Sequence, residues 1–227
     1  FVHLQSNESR EGPAIACLPV NFSLTEKLRV TDCYFLNNKI ILGQQNGGGI
    51  LSVDLIDQNS TSLQLIRNEF TENSGFSVCF LGLAFGKIQI EDSYLCRNNI
   101  SNLILGGGDL TTIQNNIIIS NIAESPLLIV NTTAEVFFIN NLIINNISNS
   151  NKIFALENNP ISFIGCTIDN NSFGQVPSVK KPSEIFFYIS FVRGISDQNN
   201  FFASNSGTYL SHSQIDGLNC SPLPANV

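Results

Sequence analysis

The chain of 227 residues contains no methionine and no tryptophan, has two histidines, and is only 13% charged, against about a quarter in an ordinary globular domain. So little charge excludes a coiled coil and a charge-rich disordered chain, both of which need Lys, Arg and Glu in quantity. Lys plus Arg number 11 against 18 Asp plus Glu, for a net charge of -7, and the basic residues cluster only at Lys180-Lys181. A phosphate backbone finds little to hold, so no nucleic-acid partner is expected. The longest apolar run, Ile185 to Val192, is interrupted by Ser190 and falls far short of the ~20 residues of a membrane helix, so no membrane span is expected. No C-x-x-C is present, which argues against a zinc ribbon or a thioredoxin-type site; neither a metal nor a cofactor is expected. No stretch holds a 3.6-residue apolar period between caps, so helices are not expected. With Phe1 first and no Met, the expectation is that a leader was removed or that the chain is a fragment.

Uncharged hydrogen-bonding residues stand in place of the missing charge: 30 Asn, 25 Ser and 10 Thr. The asparagines repeat. Asn38, Asn73, Asn98, Asn121, Asn146, Asn171 and Asn205 are spaced by 35, 25, 23, 25, 25 and 34 residues. Three positions before them stand Phe35, Phe70, Leu95, Ile118, Ile143, Ile168 and Phe202. Eight before stand Val30, Leu65, Ile90, Ile113, Phe138 and Phe163, with Asp197 the exception. Five before, a column of small polar or thiol residues reads Cys33, Asn68, Ser93, Asn116, Asn141, Cys166 and Asn200.

Apolar positions that alternate at two residues, break at a polar one and resume describe short strands joined by tight corners. Two marked strands and a looser third, such as Pro126 to Val130 or Lys152 to Leu156, make one coil of about 25 residues. The expected fold is therefore all-β: a single right-handed parallel β-helix of about seven coils, stacked ~4.8 Å apart, with two insertion loops after Asn38 and Asn171. Residues 14–210 form it, 1–13 are an N-terminal extension and 211–227 a C-terminal tail. The repeating asparagines are expected at corners, in the left-handed conformation that Asn tolerates, with amides forming a ladder from coil to coil. Gly106-Gly-Gly108 lacks the Lys-Ser/Thr of a phosphate loop and reads as a tight turn.

The segments Phe35-Leu-Asn-Asn38, Phe70-Thr-Glu-Asn73 and Phe202-Ala-Ser-Asn205, with Gly47-Gly-Gly-Ile50, resemble the FxxN and GGA[ILV] repeats of chlamydial polymorphic outer-membrane proteins. More broadly the chain resembles right-handed β-helix passenger and adhesin domains of the pectin-lyase-like superfamily. The resemblance covers about residues 14–210, with Leu or Ile for Phe in four coils, and implies a β-helix with an adhesive role.

Cys33 and Cys166 share a column five coils apart, ~24 Å at the stacking distance, and cannot pair with each other. The six cysteines leave two readings open: bridges Cys17–Cys33, Cys79–Cys96 and Cys166–Cys220, or buried free thiols filling the column. Eight Asn-x-Ser/Thr triplets occur. Asn146 belongs to the ladder and should stay unmodified. Asn59, Asn99, Asn131 and Asn170, with Asn7 and Asn21 nearer the start, are the expected glycosylation sites of a secreted chain.

Enzymatic β-helices that cleave polysaccharides carry recognisable carboxylate segments. The Asn-Thr-Asp, Asp-Asp, Gly-His-Gly and Arg-x-Lys segments of polygalacturonases do not occur here, and His3 and His212 lie outside the repeat, so no catalytic residue is assigned. The best carboxylate pair is Asp32 and Asp92, which share a column with Arg67 between them. The three form either a sugar-binding face or an exposed charge ladder. With no amphipathic helix to cap residues 5–12, copies are expected to stack end to end. The reading is a non-enzymatic extracellular structural or adhesive β-helix glycoprotein that associates with itself. Its alternative is a polysaccharide-binding or polysaccharide-cleaving protein with a carbohydrate partner.

Overall fold

In the computed structural model the described residues are 3–5, 8–9, 15–17, 27–40, 49–54, 62–82, 86–107, 110–125, 128–130, 135–149, 154–156, 160–173, 185–193, 208–211 and 213–215. All of their regular structure is β, and every strand pairing is parallel. Three sheets run the length of the stack, and the chain visits them in turn.

The lead sheet, entered first in each coil, holds β4 (Lys27–Thr31), β8 (Ser62–Ile66), β11 (Lys87–Glu91), β14 (Leu110–Gln114), β18 (Val136–Ile139), β22 (Ile161–Ile164), β25 (Ile185–Tyr188) and β27 (Thr208–Ser211). The middle sheet holds β1 (His3–Gln5), β5 (Tyr34–Leu36), β9 (Glu69–Thr71), β12 (Tyr94–Cys96), β15 (Ile117–Ile119), β19 (Leu142–Ile144), β23 (Thr167–Asp169), β26 (Phe191–Arg193) and β28 (Gln214–Ile215). The trailing sheet runs through β2 (Glu8–Ser9), β6 (Lys39–Ile40), β10 (Ser74–Gly82), β13 (Asn99–Gly107), β16 (Ile122–Ala123), β20 (Ile147–Ser148) and β24 (Ser172–Phe173). Alongside it lie β3 (Ile15–Cys17) and β7 (Gly49–Asp54) at one end, and β17 (Leu128–Val130) and β21 (Phe154–Leu156) at the other. The last two are the looser strands expected from the spacing. The fold is the expected parallel β-solenoid.

Like side chains lie on like. Phe35, Phe70, Leu95, Ile118, Ile143, Ile168 and Val192 form one buried file, each in register with the next. In the lead sheet Leu65, Ile90, Ile113, Phe138 and Phe163 form another. The rings of Phe35 and Phe70 stack with centroids 4.5 Å apart, and those of Phe138 and Phe163 at 4.8 Å. Each such side chain contributes ~1.5–3 kcal/mol when fully buried, and only the adjacent coils can bury it.

Buried asparagines join the coils at the corners. The peptide N–H and the side-chain amide of Asn73 both donate to Asn98 Oδ1, each at 3.0 Å. Asn98 Nδ2 in turn donates to Phe70 O at 3.0 Å and to Asn121 Oδ1 at 2.8 Å. The same pattern links Asn121 to Asn146 and Asn146 to Asn171. A second ladder, between lead and middle sheets, runs from Cys33 through Asn68, Ser93, Asn116 and Asn141 to Cys166, Ser190 and Ser213.

Several expectations need correction. The left-handed conformation belongs to the residue before each ladder position: Asn37, Glu72, Arg97, Ser120, Asn145 and Asn170 at one corner, and Asp32, Arg67, Asp92, Asn115, Asn140, Gly165 and Ile189 at the other. This residue turns the chain outward, and the asparagine after it can point inward. A Cβ on Gly165 would press on Asn140 Oδ1, so a larger residue there requires that exposed side chain to move. Ile189 is a β-branched residue at φ 50° and is 71% exposed, a strained placement that costs ~1 kcal/mol or more.

The interval of 34 after Asn171 is not a structural repeat. Ile168 pairs with Val192, 24 residues on, so Val192 rather than Phe202 continues the file. Phe202 and Asn205 lie outside the described residues. The count of about seven coils was low, since nine strands form the middle sheet and eight the lead sheet. Strands β1 and β2 fall within the stretch expected as an N-terminal extension, and β28 within the expected tail, yet each pairs in register. Gly106 and Gly107 are not in a tight turn; they belong to β13, paired with Leu81 and Gly82.

Replacing Asn98 with Ala would leave the Asn73 peptide N–H buried without its partner, at ~1–3 kcal/mol, and remove the side-chain amide bonds to Phe70 O and Asn121 Oδ1. Asn98→Ala is therefore expected to lower unfolding free energy by about 2 kcal/mol, whereas Asn149→Ala, at an exposed site, changes it by under about 0.5 kcal/mol. Urea titration of the two variants measures both.

Candidate functional site

The corner residues that turn outward form two exposed rails along the solenoid, and these hold the charged side chains expected as a candidate site. At the lead–middle corner Asp32, Arg67 and Asp92 follow one another on successive coils, all left-handed. Arg67 Nε and Nη2 donate to Asp32 Oδ1 and Oδ2 at 2.6 and 2.7 Å, a bidentate pair, and Thr31 Oγ1 donates to Asp32 Oδ2 at 2.9 Å. The hydrogen bonds from Arg67 and then Thr31 hold the Asp32 carboxyl at about 2. Asp92 adds to the field that keeps Arg67 charged.

The Arg67 pair favours the ionised form of Asp32, the opposite of the raised pKa that the acid of a glycosidase pair needs. Arg67 and Asp32 thus form an ion pair about half exposed on both sides.

The middle–trailing rail carries Arg97 Nη2 on Glu72 Oε1 at 2.9 Å and, further on, Asn170 Nδ2 donating to Asn145 Oδ1 at 2.8 Å. On the outer face of the middle sheet Arg193 grips Asp169 through Nε and Nη2 and lies over the Phe191 ring at 5.4 Å. Its hydrogen bonds hold the Asp169 carboxyl below the usual carboxylate range.

The cysteines resolve in favour of thiols at three positions. Cys33, Cys96 and Cys166 are free and buried, which corrects the bridges drawn to them from Cys17, Cys79 and Cys220. Cys33 and Cys166 do the work of ladder residues, their thiols donating to the carbonyls of Thr31 at 3.2 Å and Phe138 at 3.3 Å. Burial pushes the Cys166 thiol up. Cys96 lies on the outer side of β12, where Arg97 donates to its sulfur at 3.5 Å. The side chains of Cys17 and Cys79, in β3 and β10, and all of Cys220 lie outside the described residues.

The sequons sort by rail and ladder. Asn146 is fully buried with its amide engaged on three acceptors, Ile118 O, Ile144 O and Asn171 Oδ1, so no glycan fits there. Asn99, first in β13, and Asn170, on a left-handed corner, are exposed. Asn7, Asn21, Asn59 and Asn131 lie outside the described residues, as does His212; His3 opens β1.

Residue spacing had not brought out the outer face of the middle sheet. Strands of three apolar residues, Ile117–Ile119 and Leu142–Ile144, send one side chain inward and two outward. The absence of alternation was the available signal. Among the described residues, no three His, Cys, Asp or Glu side chains converge as metal ligands, and no helix is long and apolar enough to cross a membrane. No family model, no curated protein and no solved structure matches this chain.

The depressed Asp32 and Asp169 carboxyls favour the folded state above their unfolded value of about 3.9, and that contribution is lost as pH falls through the folded one, about 2 for Asp32. Wild type is therefore expected to be more stable than Asp32→Asn at neutral pH, by the small margin of an exposed pair, and to converge on it between pH 4 and 2. Thermal melts of both across that range test the sign.

Proposed function

We propose that this protein is a non-enzymatic structural or adhesive β-helix of the extracellular surface, glycosylated at exposed sequons and assembled end to end into a fibre. The observation that carries the reading is the state of the sheet ends: among the described strands, β4 pairs only with β8 and β28 only with β26. A strand edge without a described neighbour presents donors and acceptors to another chain, and a head-to-tail contact between copies propagates.

The finer likeness, to passenger and adhesin domains of the pectin-lyase-like superfamily and to chlamydial polymorphic outer-membrane proteins, is part of this proposal and rests on the FxxN segments at Phe35 and Phe70. An extracellular location rests on the eight sequons, of which Asn99 and Asn170 are exposed. A polysaccharide-binding protein is the second reading, favoured by the exposed Asn145–Asn170 amide rail, since neutral amides both donate to and accept from sugar hydroxyls.

Electron microscopy and fibre diffraction of the concentrated protein test the first reading. Filaments with a meridional ~4.8 Å spacing are expected, the coil repeat continued across junctions. A protein that stays dispersed as 24.8 kDa monomers and binds immobilised neutral or acidic glycans would overturn it in favour of the second.

A further inference from the structure

The outer face of the middle sheet changes character along the stack. At β15 and β19 the pleat turns Ile117, Ile119, Leu142 and Ile144 outward. Ile117 is 40% exposed, and just past the next corner Ile122 and Ile147 are 42% and 43% exposed. The corner residues bordering this panel, such as Asn115 and Asn145, are uncharged. An apolar group of this kind, rimmed by amides, is characteristic of a protein contact surface.

The charges flanking the panel occur in opposite order on its two sides. Toward the N-terminal coils the cation Arg97 comes first and the anion Glu72 second; toward the C-terminal coils the anion Asp169 comes first and the cation Arg193 second.

We propose that this panel is a homodimer interface, on which a second copy packs face to face about a two-fold axis lying parallel to the strands, midway between β15 and β19. Such an axis is isologous and closes the assembly at two copies. It lays β15 on the second copy's β19, β12 on its β23 and β9 on its β26, in two sheets ~10 Å apart. Arg97 then lies one residue from the second copy's Asp169, and Glu72 one residue from its Arg193, within reach of the arginine side chains, each contact occurring twice. An axis along the solenoid would instead bring Arg97 beside the second copy's Asp92 and Glu72 beside its Arg67, leaving Asp169 against Thr167 and Arg193 against Phe191. Only the axis parallel to the strands brings Asp169 and Arg193 against opposite charges, so charge changes at those two residues separate the two operators. This lateral contact is independent of growth at the sheet ends.

Sedimentation velocity over a range of concentrations tests it, with a mass rising toward twice 24.8 kDa expected for the wild type. Ile117→Lys with Ile144→Lys, both outward and clear of the core files, is expected to abolish the dimer. Glu72→Arg with Arg97→Glu keeps the internal pair with its signs exchanged but sets like charges across the interface, and is expected to weaken dimerisation by about tenfold or more. Adding Asp169→Arg with Arg193→Asp to that variant is expected to restore it. A wild type that is monomeric throughout, or a dimer indifferent to both pairs of changes, would overturn the proposal. Filaments that grow undiminished from the lysine variant, with no paired width in the wild type, would overturn the lateral contact while sparing end-to-end growth; dimers that never elongate would do the reverse.

Discussion

The structure depends on one repeated interaction, an inward-pointing asparagine amide at a corner that bonds the coil before it and the coil after it. A corner is where a strand's own ladder stops and its peptide groups would otherwise be buried without partners. The amide has a donor and an acceptor on one short, rigid side chain, so it satisfies the N–H of the preceding asparagine and a carbonyl three residues further back in the same move. At Ser190 a serine hydroxyl does the same, accepting the Cys166 N–H and donating to Phe163 O. The sparing use of charge follows, because a buried Asp or Lys in that column would be an unpaired ion.

The ladder and the apolar files are mutually dependent. Stacked side chains such as Phe35 on Phe70 are buried only if the coils keep register, and register is what the amides enforce, since a slip of one residue would turn every inward group out. Where an amide is missing the substitute obeys the same geometry. Ser93 and Ser190 receive a peptide N–H on their hydroxyls, and Cys166 offers its thiol to the Phe138 carbonyl. The outward positions carry no such constraint, and there the chain places its ion pairs, its exposed sequons and the aliphatic panel of the middle sheet.

The solenoid was legible in the sequence because inward positions repeat in type: the spacing of Asn73, Asn98, Asn121, Asn146 and Asn171, with an aliphatic residue or Phe three earlier, fixes both a corner and a strand. What escaped it followed from treating asparagine as the marker instead of its role. After Asn171 the register continues through Ser190 and Val192, so a search for the next asparagine runs on to Asn205. The left-handed residue was assigned to the wrong neighbour for a related reason. Asn is frequent on both sides of that bond, as in Asn145-Asn146, and only the backbone shows which one turns the chain. The cysteines looked like bridge partners because a thiol's service as a small donor in an amide column leaves no mark in spacing. The ion pair of Asp32 and Arg67 was readable from shared columns; the apolar panel was obscured because uninterrupted Ile-Ile-Ile reads as core.

Hydrogen exchange of the asparagine side-chain amides, followed residue by residue by NMR, tests the central claim most directly. Nδ2 protons of Asn73, Asn98, Asn121 and Asn146 are predicted to exchange as slowly as the peptide N–H groups of the strands around them, opening only with global unfolding, while those of the exposed Asn115 and Asn145 exchange freely. Equal and rapid exchange in both groups would contradict the account, because it would mean that the inward amides do not hold the coils together.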